Sequence, residues 1–201
     1  VKVLVVGATG TLGTAVTTLL SARHDVVTAS RSGKTDVAVD ITDPESVAAM
    51  YAQVGRVDAV ACAAGGVPFK AIGELTHAEV KRAALDKLLG QVELVRGGLD
   101  FVADNGSFTL ITGILSGEAI PTGSMASMAN GGIDAFVRGV AIELPRGLRI
   151  NSVSPTMFTE SLEAYDTFFP GFPPVDAAAA AMAYRRSVEG GQTGQNFRVG
   201  W

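Results

Sequence analysis

A chain of 201 residues is long enough for one sizeable core and too short for two ordinary domains. Hydrophobic residues make up 47%, with 24 glycines and only 8 prolines, which suits a packed α/β domain with many tight turns better than a disordered chain. The formal charge of -4 is mild and spread out, so neither a nucleic-acid groove nor a basic membrane patch is expected. Cys62 is the single cysteine and His24 and His77 form no ligand spacing, so no disulfide within the chain and no metal site is expected.

The chain opens on "VKVLVV", a short β-branched run that turns at Gly7, too short for a signal peptide or a membrane span. "TLGTAVTTLLSA" then reads as a helix with one apolar face, and "DVVTAS" and "TDVAVD" as the second and third strands. "DPESVAAMYAQV" is a helix with Asp43 as N-cap and Pro44 in its first turn, where a missing N–H does no harm. "VDAVACAA" returns to strand; Cys62 within it reads as a buried structural thiol, and the setting as reducing and cytoplasmic. A long helix, residues 76–98, follows, opened by a capping box of Thr76 with Glu79. "GSFTLIT" is the fifth strand, residues 121–144 the next helix, and "LRINSVS" the sixth strand. "VDAAAAAMAYRRSV" is the last helix, before a closing strand in "GQNFRV".

This alternation predicts one doubly wound α/β domain over residues 1–201, Rossmann-like, with about seven parallel strands and helices on both faces. Two irregular segments, residues 65–75 and 155–174, follow strands and so lie over the carboxyl edge where ligands bind. The second, with Met157, Phe158, Tyr165, Phe168, Phe169 and Phe172, reads as a substrate lid that Phe69 can join, or as an oligomer surface.

"VVGATGTLG" places Gly7, Gly10 and Gly13, with Thr9, Thr11 and Leu12, at the first strand-to-helix turn. Glycine there allows unusual dihedrals and close approach of a pyrophosphate, and the helix amides face the phosphates. The second strand ends in "TASRSG" rather than in an acidic residue. Arg31 can fork onto a 2′-phosphate with Ser30 or Ser32 adding a hydroxyl, so NADP(H) is preferred over NAD(H); the alternative is a solvated arginine in a turn. Asp40 and Ile41 can hold the adenine, although Asp40 can equally cap a turn.

The order of these features resembles the short-chain dehydrogenase/reductase family, most specifically in "RGVAIELPRGLRINSVSP". The resemblance implies hydride transfer between a nicotinamide and a carbonyl or alcohol, a small-molecule substrate, and pairing of subunits into a homodimer or homotetramer. It also implies a catalytic tyrosine with a lysine four residues on, a serine on the fifth strand and an asparagine in the fourth helix. At those positions this chain has Ala126, Asn130, Gly113 with Thr112 beside it, and Lys87. Asn130 can still bond a ribose hydroxyl but carries no charge. Ala63, Ala64 and Gly65 stand in the family's "NNAG" turn, and Pro155, Met157 and Thr159 in the loop around the nicotinamide, where Thr159 matches the carboxamide anchor.

The ordinary proton donor is therefore missing. One reading keeps hydride transfer to a carbonyl, enone or imine, with the oxygen held by Thr112, Ser124 or Ser127 and the proton supplied by Lys87 or water. A second is an NADP(H)-binding sensor or scaffold without turnover, and a third a non-redox lyase, isomerase or cyclase.

Overall fold

The computed structural model describes residues 1–201, the side chains of Ala164 and Asp166 excepted. Strand β1 (Lys2–Val6) leads into helix α1 (Thr11–Ser21), then β2 (Asp25–Ser30), β3 (Val37–Ala38), α2 (Pro44–Val54) and β4 (Val57–Cys62). Helix α3 (His77–Ala83) continues through a π turn, Ala84–Leu89, into α4 (Gly90–Gly98). Strand β5 (Val102–Ile111), α5 (Ser124–Val140), β6 (Arg149–Pro155), the short α6 (Leu162–Tyr165), α7 (Ala177–Glu189) and β7 (Asn196–Val199) complete the chain.

All seven strands are parallel, in the order β3-β2-β1-β4-β5-β6-β7. The chain runs outward one way from β1 and the other way from β4, so the ends of these two neighbours flank the crevice where a doubly wound sheet binds ligands. Alternation along the strands fills both faces. Leu4 and Val6 pack with Met50, Tyr51, Leu94 and Ile133 on one side, and Val3 and Val5 with Val16, Leu20 and Tyr184 on the other. Two buried hydroxyls find carbonyls across the core: Tyr51 donates to Leu94 O at 2.7 Å and Tyr184 to Cys62 O at 2.6 Å.

The expected caps are present. Asp43 accepts from Glu45 N at 3.0 Å, and Thr76 and Glu79 close a reciprocal capping box. Three expected elements change. The third strand shrinks to two residues because Asp36 turns back to accept from Thr28 N at 2.9 Å and Thr35 bonds Ser30 at 3.1 Å, side-chain bonds that compete with a ladder. The helix over residues 76–98 is interrupted by the π turn. The helix expected from Pro121 starts at Ser124 and ends at Val140, because Thr122 has φ 65° and breaks the first turn.

A β-branched residue in that left-handed region is strained by about 1–2 kcal/mol. The carbonyl of Thr122 accepts from Lys70 N at 3.1 Å, tying together two loops at the carboxyl edge. Asn tolerates this conformation, so Thr122→Asn should raise unfolding stability by about 1 kcal/mol in urea titration. A loss of stability would mean that the threonine side chain itself holds the loop.

Candidate functional site

The turn between β1 and α1 is built from backbone against backbone. Gly7 has φ +84°, and an added Cβ there would lie 2.8 Å from the Ala63 and Ala64 backbone. At Gly13 a Cβ would stand 2.0 Å from Gly7 O, so only glycine lets α1 begin this close to β1. Gly10 is the N-cap of α1 and supplies no side-chain cap, leaving the amides of Thr11, Leu12 and Gly13 without an intrahelical acceptor. Over Gly10 an added Cβ meets only Gly7 O, at 3.6 Å.

Two cavities open on either side of this turn, and Gly10, Ala63 and Gly65 line both. The first, of about 420 Å³, is bounded by Gly7, Thr9, Ser30, Arg31, Ser32, Asp40, Ile41 and Ala64. Ser30 is buried and its Oγ lies 2.9 Å from Ser32 Oγ, while Arg31 is exposed. Asp40 both lines the cavity and caps a turn: its Oδ1 accepts from Thr42 N at 3.0 Å and Thr42 Oγ1 at 2.8 Å. These bonds, more than the nearby Arg31, hold its carboxyl below the usual range. Asp86 also lines this cavity, a residue that no sequence motif marked.

The second cavity, of about 540 Å³, holds Thr11, Leu12, Lys87, Thr112, Ala126, Asn130, Pro155 and Met157. Lys87 is half-buried and its Nζ donates to Thr112 O at 3.4 Å. Desolvation pushes its pKa down to about 8, against the pull of Cys62 and Asp134 in the other direction. Gly65 permits the approach of its helix, since a Cβ there would lie 3.0 Å from Lys87 Cα. Thr112 is not a free donor, because its Oγ1 donates to Val153 O at 3.3 Å. Asn130 Nδ2 donates to Gly113 O at 3.4 Å, while its Oδ1 is buried without a partner. Thr156 Oγ1 is a second buried atom without a partner on this wall, and no sequence motif marked it.

Phe69, Phe158, Tyr165 and Phe169 line the outer wall. Phe69 is 5.7 Å from Phe168 and 6.3 Å from Phe169, ring centre to ring centre, and Phe169 is 5.9 Å from Phe172. The anticipated aromatic cluster therefore joins both loops, as cavity wall and packing layer.

Four expected residues, Ser124, Ser127, Thr159 and Gly13, are not brought to the cavity wall. Ser124 is exposed in the first turn of α5, two residues and about 200° round the helix from Ala126. Thr159 is exposed as well, and its N–H pairs with Val175 O at 2.9 Å. Gly13 lies behind the turn and serves its packing.

Residues 11–192 match a protein-family model described as enoyl-(acyl carrier protein) reductase. The chain belongs to the short-chain dehydrogenase/reductase family. A Listeria innocua protein, lin1944, has a solved structure similar to this short-chain dehydrogenase/reductase with TM-score 0.96 and 47% identity, covering 98% of both chains. A small-chain dehydrogenase solved in complex with NADPH is 25% identical, with TM-score 0.87, over 98% of this chain and 95% of that one. An uncharacterised oxidoreductase of Methylorubrum extorquens is 29% identical over 121 residues, 60% of this chain and 49% of its own. The short-chain dehydrogenase/reductase described here spans about half the length of the curated relatives it matches. Among the described residues no helix is long and apolar enough to cross a membrane.

Proposed function

We propose that this protein is an NADP(H)-dependent oxidoreductase acting on a small apolar carbonyl, enone or imine, with Lys87 as the group that meets the substrate oxygen. The observation that carries this reading is the continuity of the cleft: the cavity with Arg31 and the cavity with Lys87 share Gly10, Ala63 and Gly65. The residues fit a nicotinamide dinucleotide. The uncapped amides of α1 and the open face of Gly10 suit a pyrophosphate, and Asn130 Oδ1 and Thr156 Oγ1 are polar atoms awaiting a partner in the redox half. The related dehydrogenase solved with NADPH supports the same choice. When bound, such a cofactor supplies or accepts a hydride.

Arg31, with Ser32, would hold the 2′-phosphate, and Ile41 the adenine. Asn130 would accept from a ribose hydroxyl. Lys87 keeps N–H groups beyond the one given to Thr112 O, and its lowered pKa makes the ammonium a better acid than an ordinary lysine while leaving it mostly protonated at pH 7. In carbonyl reduction the proton passes from Lys87 Nζ to the substrate oxygen, and Phe69, Tyr165 and Phe169 screen the site from water.

Arg31→Asp should weaken NADPH by about 10–100-fold, the worth of a charge-assisted contact, and NADH far less. Fluorescence titration of both cofactors measures this, and equal losses contradict the assignment. The same titration on the unaltered protein tests the whole reading, which fails if neither dinucleotide binds. A panel of aldehydes, ketones, enones and imines then follows NADPH consumption.

A second reading has one specific observation in its favour: Ala126 and Asn130 leave the inward face of α5 without a hydroxyl. NADPH bound tightly but never consumed across the panel would assign the protein as a nucleotide-binding sensor or scaffold. Product formed without consumption would favour a lyase or isomerase. The exposed Leu85, Leu89 and Met128, on the π turn and α5, support a homodimer or homotetramer through that face, which light scattering of the purified protein checks.

A further inference from the structure

Gln91 is a fully buried polar residue in the first turn of α4, and both ends of its amide are used. Its Nε2 donates to Ile111 O at 2.9 Å and to Lys87 O at 3.1 Å, while its Oε1 accepts from Ile111 N at 2.8 Å. Ile111 ends β5, beyond the last residue that β4 pairs, since that register stops at Ala61 with Thr109. The side-chain amide thus takes the backbone donor and acceptor that the neighbouring strand no longer reaches. A buried amide satisfied in this way is a rigid connection.

The same residue reaches back to Lys87. The helix there runs in π register, with Gly90 N donating to Leu85 O five residues earlier. Such single π turns are frequent at functional sites. Lys87 Nζ bonds Thr112 O, and Thr112 follows Ile111 in the chain. Lys87 is therefore tied to the end of β5 twice, by its amine directly and by its carbonyl through Gln91.

We propose that Gln91 is a positioning residue: by clamping the Lys87 carbonyl to Ile111 it fixes the π turn and keeps the Lys87 amine in the cavity beside Thr112. Its effect on turnover rests on the reading of Lys87 given above, whereas the place of the amine is measured without any substrate or nucleotide. The titratable groups facing Lys87 are Cys62 from β4 and Asp134 from α5; the end of β5 contributes none. Both are untouched in the variants below, so a moved titration reports a moved amine.

In Gln91→Met an apolar chain of similar length replaces the amide. Competitive acetylation across pH, read at Lys87 by peptide mass spectrometry, gives the midpoint of its amine. The unaltered protein should show about 8, and the variant a value moved toward the ordinary lysine range, about 10.4. NADPH affinity should change by less than about two-fold, because Gln91 lines neither cavity and acts apart from the cofactor contacts. A folded Gln91→Met whose Lys87 still titrates near 8 overturns the proposal. Should that variant not fold, Gln91→Asn keeps an amide one methylene too short for its backbone partners and faces the same titration with the same two outcomes. Turnover unchanged while the amine has moved would count against Lys87 as the proton donor and leave the positioning role standing. Turnover lost with the amine in place would sink the positioning role.

Discussion

Gly13→Ala should abolish dinucleotide binding and destabilise the fold in one step. The added methyl would stand 2.0 Å from Gly7 O, 2.7 Å from Gly7 C and 2.8 Å from Ala8 Cα, all of them backbone atoms with no rotamer to give way. Relief requires α1 to lift from the end of β1, yet Val16 and Leu20 of that helix are fully buried against the sheet. Overpacking of this kind costs about 1–3 kcal/mol and occasionally more. That corresponds to a melting point lower by roughly 2–12 °C in a chain of this size. The helix amides would move with the turn, and losing two charge-assisted contacts weakens a phosphate ligand by more than about 100-fold.

Gly10→Ala separates the two effects. Gly10 has ordinary extended dihedrals, φ -79° and ψ 170°, and a methyl there meets no atom closer than 3.6 Å. That variant should melt like the unaltered protein and still lose NADPH, because the methyl fills the space over the helix start. Thermal melts and fluorescence titration of both variants decide the matter. Full NADPH affinity in Gly13→Ala would falsify the account of the turn.

Lys87→Met should produce a protein that is more stable and less active. Removing a general acid typically costs 10²–10⁴-fold in rate. With Lys87 as the proposed proton donor, the unaltered protein should reduce its substrate at a constant rate below about pH 8 and lose activity above it, as the ammonium is depleted. The variant should show no such limb.

Stability runs in the opposite direction. The folded pKa of about 8 lies below the unfolded lysine value of about 10.4, so between these values the unfolded chain binds a proton that the folded chain does not. Stability of the unaltered protein therefore rises with pH across that window, and the variant lacks the rise. At pH 7 the variant, freed from burying an ammonium, should gain on the order of 1–3 kcal/mol. Urea titrations at pH 7 and pH 10 measure both quantities. Unchanged turnover would move the proton donor elsewhere, and a loss of stability would make the amine a structural group.

Much of this site was legible before any coordinates. The glycine spacing after an apolar strand marked the tight turn between β1 and α1, and the missing acid at the end of β2 drew attention to Arg31, which lines the cavity beside it. Both are local signals, because a tight turn and a strand end are decided by a few adjacent residues. The failures are equally specific. Ser124 was offered as a holder of the substrate oxygen, although the helical period turns it away from Ala126, which lines the cavity. Thr159 was carried over by position along a loop whose path is set by the contact of Phe158 with Val175, far on in the chain. Gln91 drew no notice because its partners, Ile111 and Lys87, lie on a strand and in a helix irregularity that no local pattern announces.

Residue order alone decided the alternation of strands and helices, the caps and the glycine turn between β1 and α1. These follow from periodicities and steric limits acting over a turn or two of chain. Packing decided the rest: that Lys87 is drawn out of water into the cavity, that Thr156 faces it while Thr159 does not, and that Gln91 fastens helix to strand. Those outcomes depend on where distant backbone groups are left without partners once the sheet closes, and such vacancies exist only in three dimensions.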